Sequence, residues 1–217
     1  MHLLVIPTYN RPTYLDKTLS SLLRAIEGHC GEVLVIMADD GSTDPRVAQI
    51  CQQFQRQHYL SEFRSGKNLG VAGNLLRGIE GALVDFNHPP ESIMTLDSDF
   101  LVKPQFLCSL WDLLAQVGSP DTIITGFNAT SHPILTQRDG WAIKQSIGGG
   151  NLCCTLEAYK RHIKPNLTDA MWDWRMCGTV QRVSGKLICV TPSVCQHIGM
   201  TSVMNHPKAD VAMDFTI

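Results

Sequence analysis

The chain has 217 residues, of which 44% are hydrophobic and 18% are charged, and its 18 basic and 20 acidic side chains give a formal net charge of −2. This composition excludes a disordered protein, because a chain of this kind can bury a substantial apolar core. Its length favours a single domain. The nearly balanced charge excludes nucleic-acid binding driven by a strongly basic chain, although a local basic patch remains open.

The spacing of the cysteines and the lengths of the apolar runs indicate in which cellular compartment the protein is expected. No two cysteines have the two-residue gap that is typical of structural zinc, which favours reduced, buried thiols in a cytoplasmic protein, with disulfides as the alternative. The opening residues lack a basic segment, and no apolar run approaches the ~18 residues of a membrane span. We therefore expect a soluble protein. The cysteines are Cys30, Cys51, Cys108, Cys153, Cys154, Cys177, Cys189 and Cys195.

Strand and helix patterns alternate along the first half of the chain, which predicts βαβ units and a doubly wound sheet. The predicted strands are Leu3–Ile6, Val33–Ala38, Leu60–Arg64, Ile93–Leu96, Thr122–Phe127 and Lys186–Val190. The first predicted helix carries Leu15 to Ile26, with Thr13 and Asp16 as a capping pair. The second starts at Pro45 after an Asp44 N-cap, the third covers Ala72–Phe86, and the fourth starts at Pro104. The last two cover Thr155–His162 and Asp169–Cys177. The segment Ser131–Asn151 is rich in glycine, proline and polar residues and is expected to be irregular.

Two acidic motifs follow predicted strands, at the edge where open α/β sheets bind ligands. The sequence A-D-D-G-S-T-D (Ala38–Asp44) by itself is also typical of a simple turn. In L-D-S-D, Asp97 and Asp99 are two residues apart, so extended backbone would place both carboxylates on one side. Paired carboxylates without nearby Cys or His suit Mg²⁺ or Mn²⁺, whereas the alternative is a solvated loop.

A glycine-containing turn, G-K-N-L-G-V-A-G-N (Gly66–Asn74), leads into a predicted helix. The free amides at the start of that helix, together with Lys67, could hold a phosphate. The P-loop signature is absent, so an ordinary loop is the alternative.

The order of P-T-Y-N-R, D-D-G-S-T-D, N-L-G-V-A-G-N and L-D-S-D resembles the nucleotide-sugar glycosyltransferases of family 2, over roughly residues 1–110. The resemblance implies an α/β GT-A fold, an open mixed sheet flanked by helices. It also implies one domain over residues 1–217, with a nucleotide-sugar-binding half (1–100) and an irregular acceptor-binding half (101–217).

The resemblance implies a role for individual residues. Thr8 and Asp39 would contact the nucleobase, Asp40 would lie near the ribose, and Asp99, Asp97 and His197 would hold Mn²⁺ or Mg²⁺. His197 is included among the expected metal ligands because Q-H-I-G is similar to a late segment of several GT-A enzymes. The other implied substrate-binding residues are Tyr9, Asn10, Arg11, Lys67, Asn68, Asn74, Ser98, Gly149, Gly150 and Trp172.

The segment A-M-W-D-W-R-M occupies the place of the acidic helix start that carries the catalytic base in inverting members of the family. Asp173 is therefore the candidate base, and Asp169, expected one helical turn earlier on the same face, is the alternative. Here Trp-Asp-Trp replaces the usual Glu-Asp pair. The Q-x-x-R-W signature of processive polymerases is absent, because Gln181-Arg182 continues as Val-Ser-Gly.

The expected activity is metal-dependent transfer of one hexosyl or N-acetylhexosaminyl group, with inversion, from a nucleoside-diphosphate sugar, UDP-linked by the resemblance, to an acceptor hydroxyl. A sugar-phosphate nucleotidyltransferase and a non-catalytic nucleotide-sugar-binding module are the alternatives. The sequence does not name the donor sugar. The acceptor, which it also leaves open, could be a glycan, lipid, protein, small molecule or nucleic-acid base.

Overall fold

The computed structural model describes residues 1–28, 31–85, 88–199 and 210–216. Its strands are β1 His2–Thr8, β2 Val33–Asp39, β3 Ser61–Ser65, β4 Ile93–Leu96, β5 Phe100–Val102, β6 Thr122–Thr125, β7 Ile134–Gln137, β8 Trp141–Lys144, β9 Asn151–Cys154, β10 Lys186–Val190 and β11 Cys195–His197. Its helices are α1 Pro12–Glu27, α2 Pro45–Gln57, α3 Gly70–Asp85, α4 Phe106–Val117, α5 Leu156–Ala158 and α6 Trp172–Arg182. A π-helical turn, Tyr159–Ile163, and a 3₁₀ turn, Lys164–Asn166, continue α5.

Among the described residues, nine strands form one mixed sheet in the order β3-β2-β1-β4-β9-β6-β10-β8-β7. The four strands β3, β2, β1 and β4 run parallel, with Thr8 opposite Asp39 and Asp39 opposite Ser65. Their carboxyl ends therefore meet at one edge, where the predicted motifs begin. Strand β9 is antiparallel to β4, and a separate two-stranded sheet pairs β5 with β11 so that His197 lies opposite Phe100.

Both faces of the sheet are covered, as its continuous apolar strands predict. Along β1, Leu4 and Ile6 join the core cluster under α1, α2 and α4, whereas Leu3 and Val5 join the cluster that includes α3, α6 and Tyr159. This alternation follows from the two-residue period of a strand. The predicted doubly wound α/β architecture is confirmed.

Two local predictions meet different outcomes. The side chain of Asp44 caps α2 by accepting the amide of Arg46 at 3.0 Å, as predicted. The predicted Thr13–Asp16 capping pair is wrong, because α1 already begins at Pro12 and the residue before it, Arg11, is in the left-handed conformation without a side-chain cap. Proline at the first helical position fixes the start of the helix there.

The expectation of an irregular segment over Ser131–Asn151 is wrong. The chain there forms the antiparallel pair β7–β8 and enters β9, which lies in the centre of the sheet between β4 and β6. The sheet therefore extends across both halves of the chain.

Six of the predicted buried thiols are buried and form no disulfide: Cys51, Cys153, Cys154, Cys177, Cys189 and Cys195. Burial raises the pKa of Cys154 to about 12. Cys108 is half-buried, whereas Cys30 and the predicted helix end at Phe86 lie outside the described residues. None of the described helices combines the length and the apolar character that crossing a bilayer requires.

Candidate active site

The carboxyl ends of β1 and β2 bring Thr8, Asp39 and Asp40 together. All three side chains are buried, and the amide of Asp40 donates to the carbonyl of Thr8 at 2.9 Å. The carboxylate of Asp39 accepts the amide of Ser42 at 3.1 and 3.2 Å and the hydroxyl of Ser65 at 2.7 Å. The hydroxyl of Thr8 has no hydrogen-bond partner among the described residues, so it is a polar group that a ligand could satisfy.

Asn10 and Arg11 form a strained link between β1 and α1, with φ angles of 51° and 60°. The amide of Asn10 donates to the hydroxyl of Ser42 at 2.7 Å, and its side-chain oxygen accepts the amides of Thr43 and Asp44 at 3.1 and 3.2 Å. Asn10 thus joins the loop after β1 to the loop after β2. The neighbouring Tyr9 is exposed.

The loop between β3 and α3 exposes the side chains of Lys67 and Asn68, as a phosphate-binding role requires. The side-chain oxygen of Asn68 accepts the amide of Gly70 at 3.2 Å, where α3 begins. Asn74 is different, because it is fully buried and both ends of its amide are used within the protein. Its nitrogen donates to the carbonyl of Ala38 at 2.7 Å, and its oxygen accepts Arg77 at 2.5 Å.

Asp97, Ser98 and Asp99 form the turn between β4 and β5. The premise that these residues are extended is therefore wrong: the strand ends at Leu96, and the amide of Asp97 bonds the carbonyl of Gly150 at 2.7 Å. The turn nevertheless keeps the two carboxylates close enough to influence each other. The side chain of Ser98 is half-buried in the same turn.

One carboxylate oxygen, Oδ2 of Asp99, is contacted by two basic side chains. Arg11 donates to it at 2.8 Å, and Nε2 of His197 lies 3.2 Å from it. Gly199 leaves the space beside this pair, because a Cβ at that position would overlap Asp99 and lie 2.8 Å from the histidine nitrogen. The strand pairing of β5 with β11 thus brings together Asp99 and His197, which are 98 positions apart in the sequence.

The electrostatics of this turn favour a bound cation. Burial raises the pKa of Asp97 well above its ordinary value, the charges of Asp99 and Asp173 act in the same direction, and Arg11 acts in the opposite direction. A divalent cation would relieve this repulsion between carboxylates.

The donor set fits Mn²⁺ or Mg²⁺ bound together with a diphosphate. Among the described side chains, no three of the types His, Cys, Asp and Glu converge into a cage made by the protein alone. Mg²⁺ in phosphate-transfer sites is usually bound by one or two carboxylates plus substrate oxygens, and Asp99 with His197 provides such a partial site.

Asp173 lies in the first turn of α6 and is half-buried. Its Oδ2 accepts the amide of Gly149 at 3.2 Å, and its Oδ1 accepts the amide of Trp174 at 2.9 Å. Trp172 is 4% exposed and packs beneath Gly149, where an added Cβ would lie 2.5 Å from the indole ring. The structure therefore gives Trp172 a supporting position, and its contact with substrate stays a prediction.

Gly150 packs against the acidic turn. A Cβ there would lie 2.8 Å from the ring of Phe100 and 3.3 Å from the carboxylate of Asp97. The glycine loop thus connects the candidate base with the candidate metal turn.

The predicted placement of Asp169 is wrong. It precedes α6, which begins at Trp172, and its Oδ1 accepts the amide of Met171 at 2.8 Å and the guanidinium of Arg175 at 2.9 Å. These hydrogen bonds lower the pKa of Asp169. Because the residues before Trp172 form a turn, the carboxylates of Asp169 and Asp173 do not share a helix face.

Three features of the site were not found in the sequence. Arg77 donates to the carbonyl of Lys67 in the loop after β3 at 2.9 Å. Trp174, beside Asp173, is 55% exposed, and its ring lies 5.8 Å from that of His132. The segment 210–216 returns to the site, where the amide of Ala212 donates to the side chain of Gln196, next to His197. Only Trp174 had a readable signal, as an aromatic residue adjacent to the candidate base.

Comparisons with known proteins bear on the family and the fold of the chain. The model of the family described as glycosyl transferase family 2 matches residues 3–160. Over 100 residues the chain is 30% identical to a dolichol-phosphate mannosyltransferase of Pyrococcus furiosus, a match that covers 42% of this chain and 28% of that enzyme.

Two solved structures share the fold. GalNAc-T7 with UDP, GalNAc and Mn²⁺ has a TM-score of 0.70 at 14% identity, over 92% of this chain and 44% of the other. Mannosyltransferase PcManGT from Pyrobaculum calidifontis, in complex with GDP-Man and Mn²⁺, has a TM-score of 0.63 at 15% identity, over 89% and 55%. The chain thus spans about half the length of these two proteins, and the predicted GT-A fold is confirmed. The family match covers most of the chain and includes all four motifs at the sheet edge, so the chain belongs to glycosyl transferase family 2.

Proposed function

We propose that this chain transfers one hexosyl or N-acetylhexosaminyl unit from a nucleoside-diphosphate sugar to an acceptor hydroxyl, with a divalent metal and with inversion at the anomeric carbon. The observation that carries the proposal is the convergence of three groups on one edge of the sheet. They are the buried Thr8–Asp39–Asp40 cluster, the Asp97–Asp99 turn with the neighbouring His197 of β11, and Asp173, which the glycine loop 149–150 links to that turn.

The nucleoside end of the donor is assigned to the β1–β2 side of the site. Thr8 offers an unpartnered hydroxyl, and the carboxylates of Asp39 and Asp40 can accept N–H and O–H groups of a base and a ribose. We propose uridine as the base. The two structural neighbours do not decide between uridine and guanosine, because one complex contains UDP and the other contains GDP-Man.

The diphosphate is assigned to the acidic turn. Asp99 and His197 would hold Mn²⁺ or Mg²⁺, which when bound neutralises the charge that develops on the leaving diphosphate. Arg11, whose guanidinium already lies 2.8 Å from Asp99, is a second positive group at this point. Lys67 is exposed on the loop after β3, and we propose it as a further contact of the phosphates.

Asp173 is proposed as the general base. It would accept the proton of the acceptor hydroxyl as that oxygen attacks the anomeric carbon from the face opposite the leaving diphosphate, which inverts the configuration. Its Oδ2 is oriented by the amide of Gly149, and this loop lies against Asp97 through Gly150. The carboxylate is therefore held near the acidic turn but on a different element.

The experiment that tests the proposal is calorimetric titration with UDP and GDP in Mn²⁺, followed by product analysis with the preferred sugar nucleotides. Binding of UDP that depends on the metal, and release of UDP from the donor with an anomer-inverted product, is the expected result. Tighter binding of GDP would overturn the uridine assignment alone.

The two alternatives from the sequence are separated by the same assay. Formation of a sugar nucleotide from a nucleoside triphosphate and a sugar phosphate would indicate a nucleotidyltransferase. Binding without turnover over the whole donor and acceptor panel would indicate a binding module. Retention of the anomeric configuration would contradict the role of Asp173.

A further inference from the structure

Arg77 joins three elements of the nucleoside side of the site. Its Nη2 donates to the carbonyl of Asp39 at 2.9 Å and to the side-chain oxygen of Asn74 at 2.5 Å, and its Nη1 donates to the carbonyl of Lys67 at 2.9 Å. A guanidinium can serve three acceptors at once because its five N–H groups are fixed in one planar fork. The side chain therefore connects α3, the end of β2 and the loop after β3.

The backbone around this guanidinium is closely packed and contains two glycines. A Cβ at Gly66 would overlap the guanidinium of Arg77. Gly41 lies above Gly66 with a φ of +78°, and a Cβ there would lie 2.8 Å from the carbonyl oxygen of Gly66. The loop after β2 thus packs on the loop after β3, and the loop after β3 packs on Arg77. The amide of Gly66 also donates to the carbonyl of Asp39 at 3.1 Å.

Arg77 also lies beside the buried acidic pair. The carboxylate of Asp40 accepts the amide of Leu69 at 2.8 Å, and the same oxygen lies 3.7 Å from Nη2 of Arg77. Buried charges are stable only when they are paired or hydrogen-bonded. The guanidinium thus lies beside the carboxylate, whose direction is set by the amide of Leu69.

We propose that Arg77 is a positioning residue for the nucleoside part of the donor. It holds Asp39, Asp40 and the loop after β3 in the arrangement that receives the base and the ribose. This inference rests on the proposed nucleotide-sugar function. Because the hydrogen bonds of Arg77 lie on the β2 side of the site, its loss acts on donor binding, whereas the chemistry at Asp173 is preserved.

The test compares Arg77→Lys and Arg77→Met with Arg64→Lys. Arg64 is a suitable control because it belongs to the adjacent strand β3, is half-buried, and pairs with Glu62 at 2.6 Å and Asp85 at 2.5 Å. Binding of UDP, GDP and inorganic pyrophosphate is measured by calorimetry in Mn²⁺, and KM for the donor and kcat are measured separately. Circular dichroism and thermal unfolding establish that each variant is folded.

In Arg77→Lys, loss of charge-assisted hydrogen bonds should weaken binding of the nucleotide that the wild type prefers by about tenfold and raise the donor KM equally. The value of kcat should stay within about twofold of the wild type. Pyrophosphate binding should fall much less than nucleotide binding, because Arg77 reaches the candidate phosphate side only through the carbonyl of Lys67. Arg77→Met should show a larger loss of nucleotide affinity. Arg64→Lys should match the wild type in all these measurements.

Each contrary result has a distinct meaning. Absence of nucleotide binding by the wild type would overturn the proposed function together with this inference. Equal nucleotide affinity in the wild type and Arg77→Lys, or a fall in kcat at unchanged KM, would overturn the role of Arg77 alone. Equal loss of pyrophosphate binding, or failure of both Arg77 variants to fold, would assign the residue to structural stability and also overturn the inference.

Discussion

The two sides of the site are built differently. On the nucleoside side, the carboxylates of Asp39 and Asp40 are buried and held by backbone amides and hydroxyls of two stacked loops. On the acceptor side, Asp173 is half-buried, accepts one amide from a glycine loop and one from its own neighbour, and stands beside the exposed Trp174. The difference is the one that the proposed function requires, with a fixed arrangement of groups for the nucleotide and a more open face for the acceptor.

The largest effect is expected where the two sides share the acidic turn. Asp99→Asn preserves the shape of the side chain but removes the charge that pairs with Arg11 and His197, so the metal would lose its anionic ligand. We expect turnover to fall by about 10³-fold or more, as loss of transition-state charge stabilisation implies. Treatment of the wild type with EDTA should have the same effect, and Mn²⁺ should restore activity to the wild type only. Full activity in exhaustively chelated enzyme would contradict the shared-turn interpretation.

The second prediction separates the two sides. Asp173→Asn should lower kcat by about 10²–10⁴-fold, because general-base assistance contributes that much, while donor affinity is preserved. Asp169→Asn is the matched control, since Asp169 precedes α6 and its carboxylate pairs with Arg175, so its loss should change kcat little. The measurements are kcat and donor Kd for both variants. Loss of transfer in Asp169→Asn with normal activity in Asp173→Asn would move the base to Asp169.

The third prediction concerns the diphosphate alone. His197→Ala should weaken UDP binding in Mn²⁺ by about 10- to 100-fold, as loss of a group in a metal shell implies, and should leave uridine binding unchanged. The histidine also packs against Phe100 at a ring distance of 5.2 Å, so His197→Gln keeps part of the volume and serves as a second variant. If both ligands are affected equally in both variants, His197 supports the fold and does not bind the diphosphate.

The residues on the proposed nucleoside side of the site were easier to predict from the sequence than those on the acceptor side, for a physical reason. Its motifs are short and follow strands whose parallel register places their ends together, so Thr8, Asp39 and Asp99 could be assigned to one edge. The cap at Asp44 was likewise predictable, because it depends only on adjacent residues.

The rest depends on contacts between distant segments. The edge strand β7 has exposed Ile134 and Leu135, so it lacks the apolar alternation that identifies a half-buried strand. The four-residue strand β9 lies at the centre of the sheet, but its sequence is too short to show a period. Arg77 could not be distinguished from a solvated helix residue, because its partners are carbonyls of loops formed by other segments.

The smallest expected effect concerns the glycine loop at Gly149, which connects the two sides of the site, and it arises from packing against Trp172. Gly149→Ala places a methyl group 2.5 Å from the ring of Trp172, and both the loop and this buried ring would have to shift. Overpacking of this kind costs about 1–3 kcal/mol of stability, and the shift would also disturb the amide that orients Asp173. Gly178→Ala in α6 is the control, because the nearest atom to its Cβ is a flexible arginine end 4.0 Å away, and alanine in a helix interior should stabilise the protein by about 0.4–1 kcal/mol. Thermal unfolding and kcat are measured for both variants. If the acceptor side is as adaptable as its open structure indicates, Gly149→Ala lowers kcat while donor Kd is unchanged, whereas an equal loss of donor affinity would show that the glycine loop belongs to the nucleotide pocket as well.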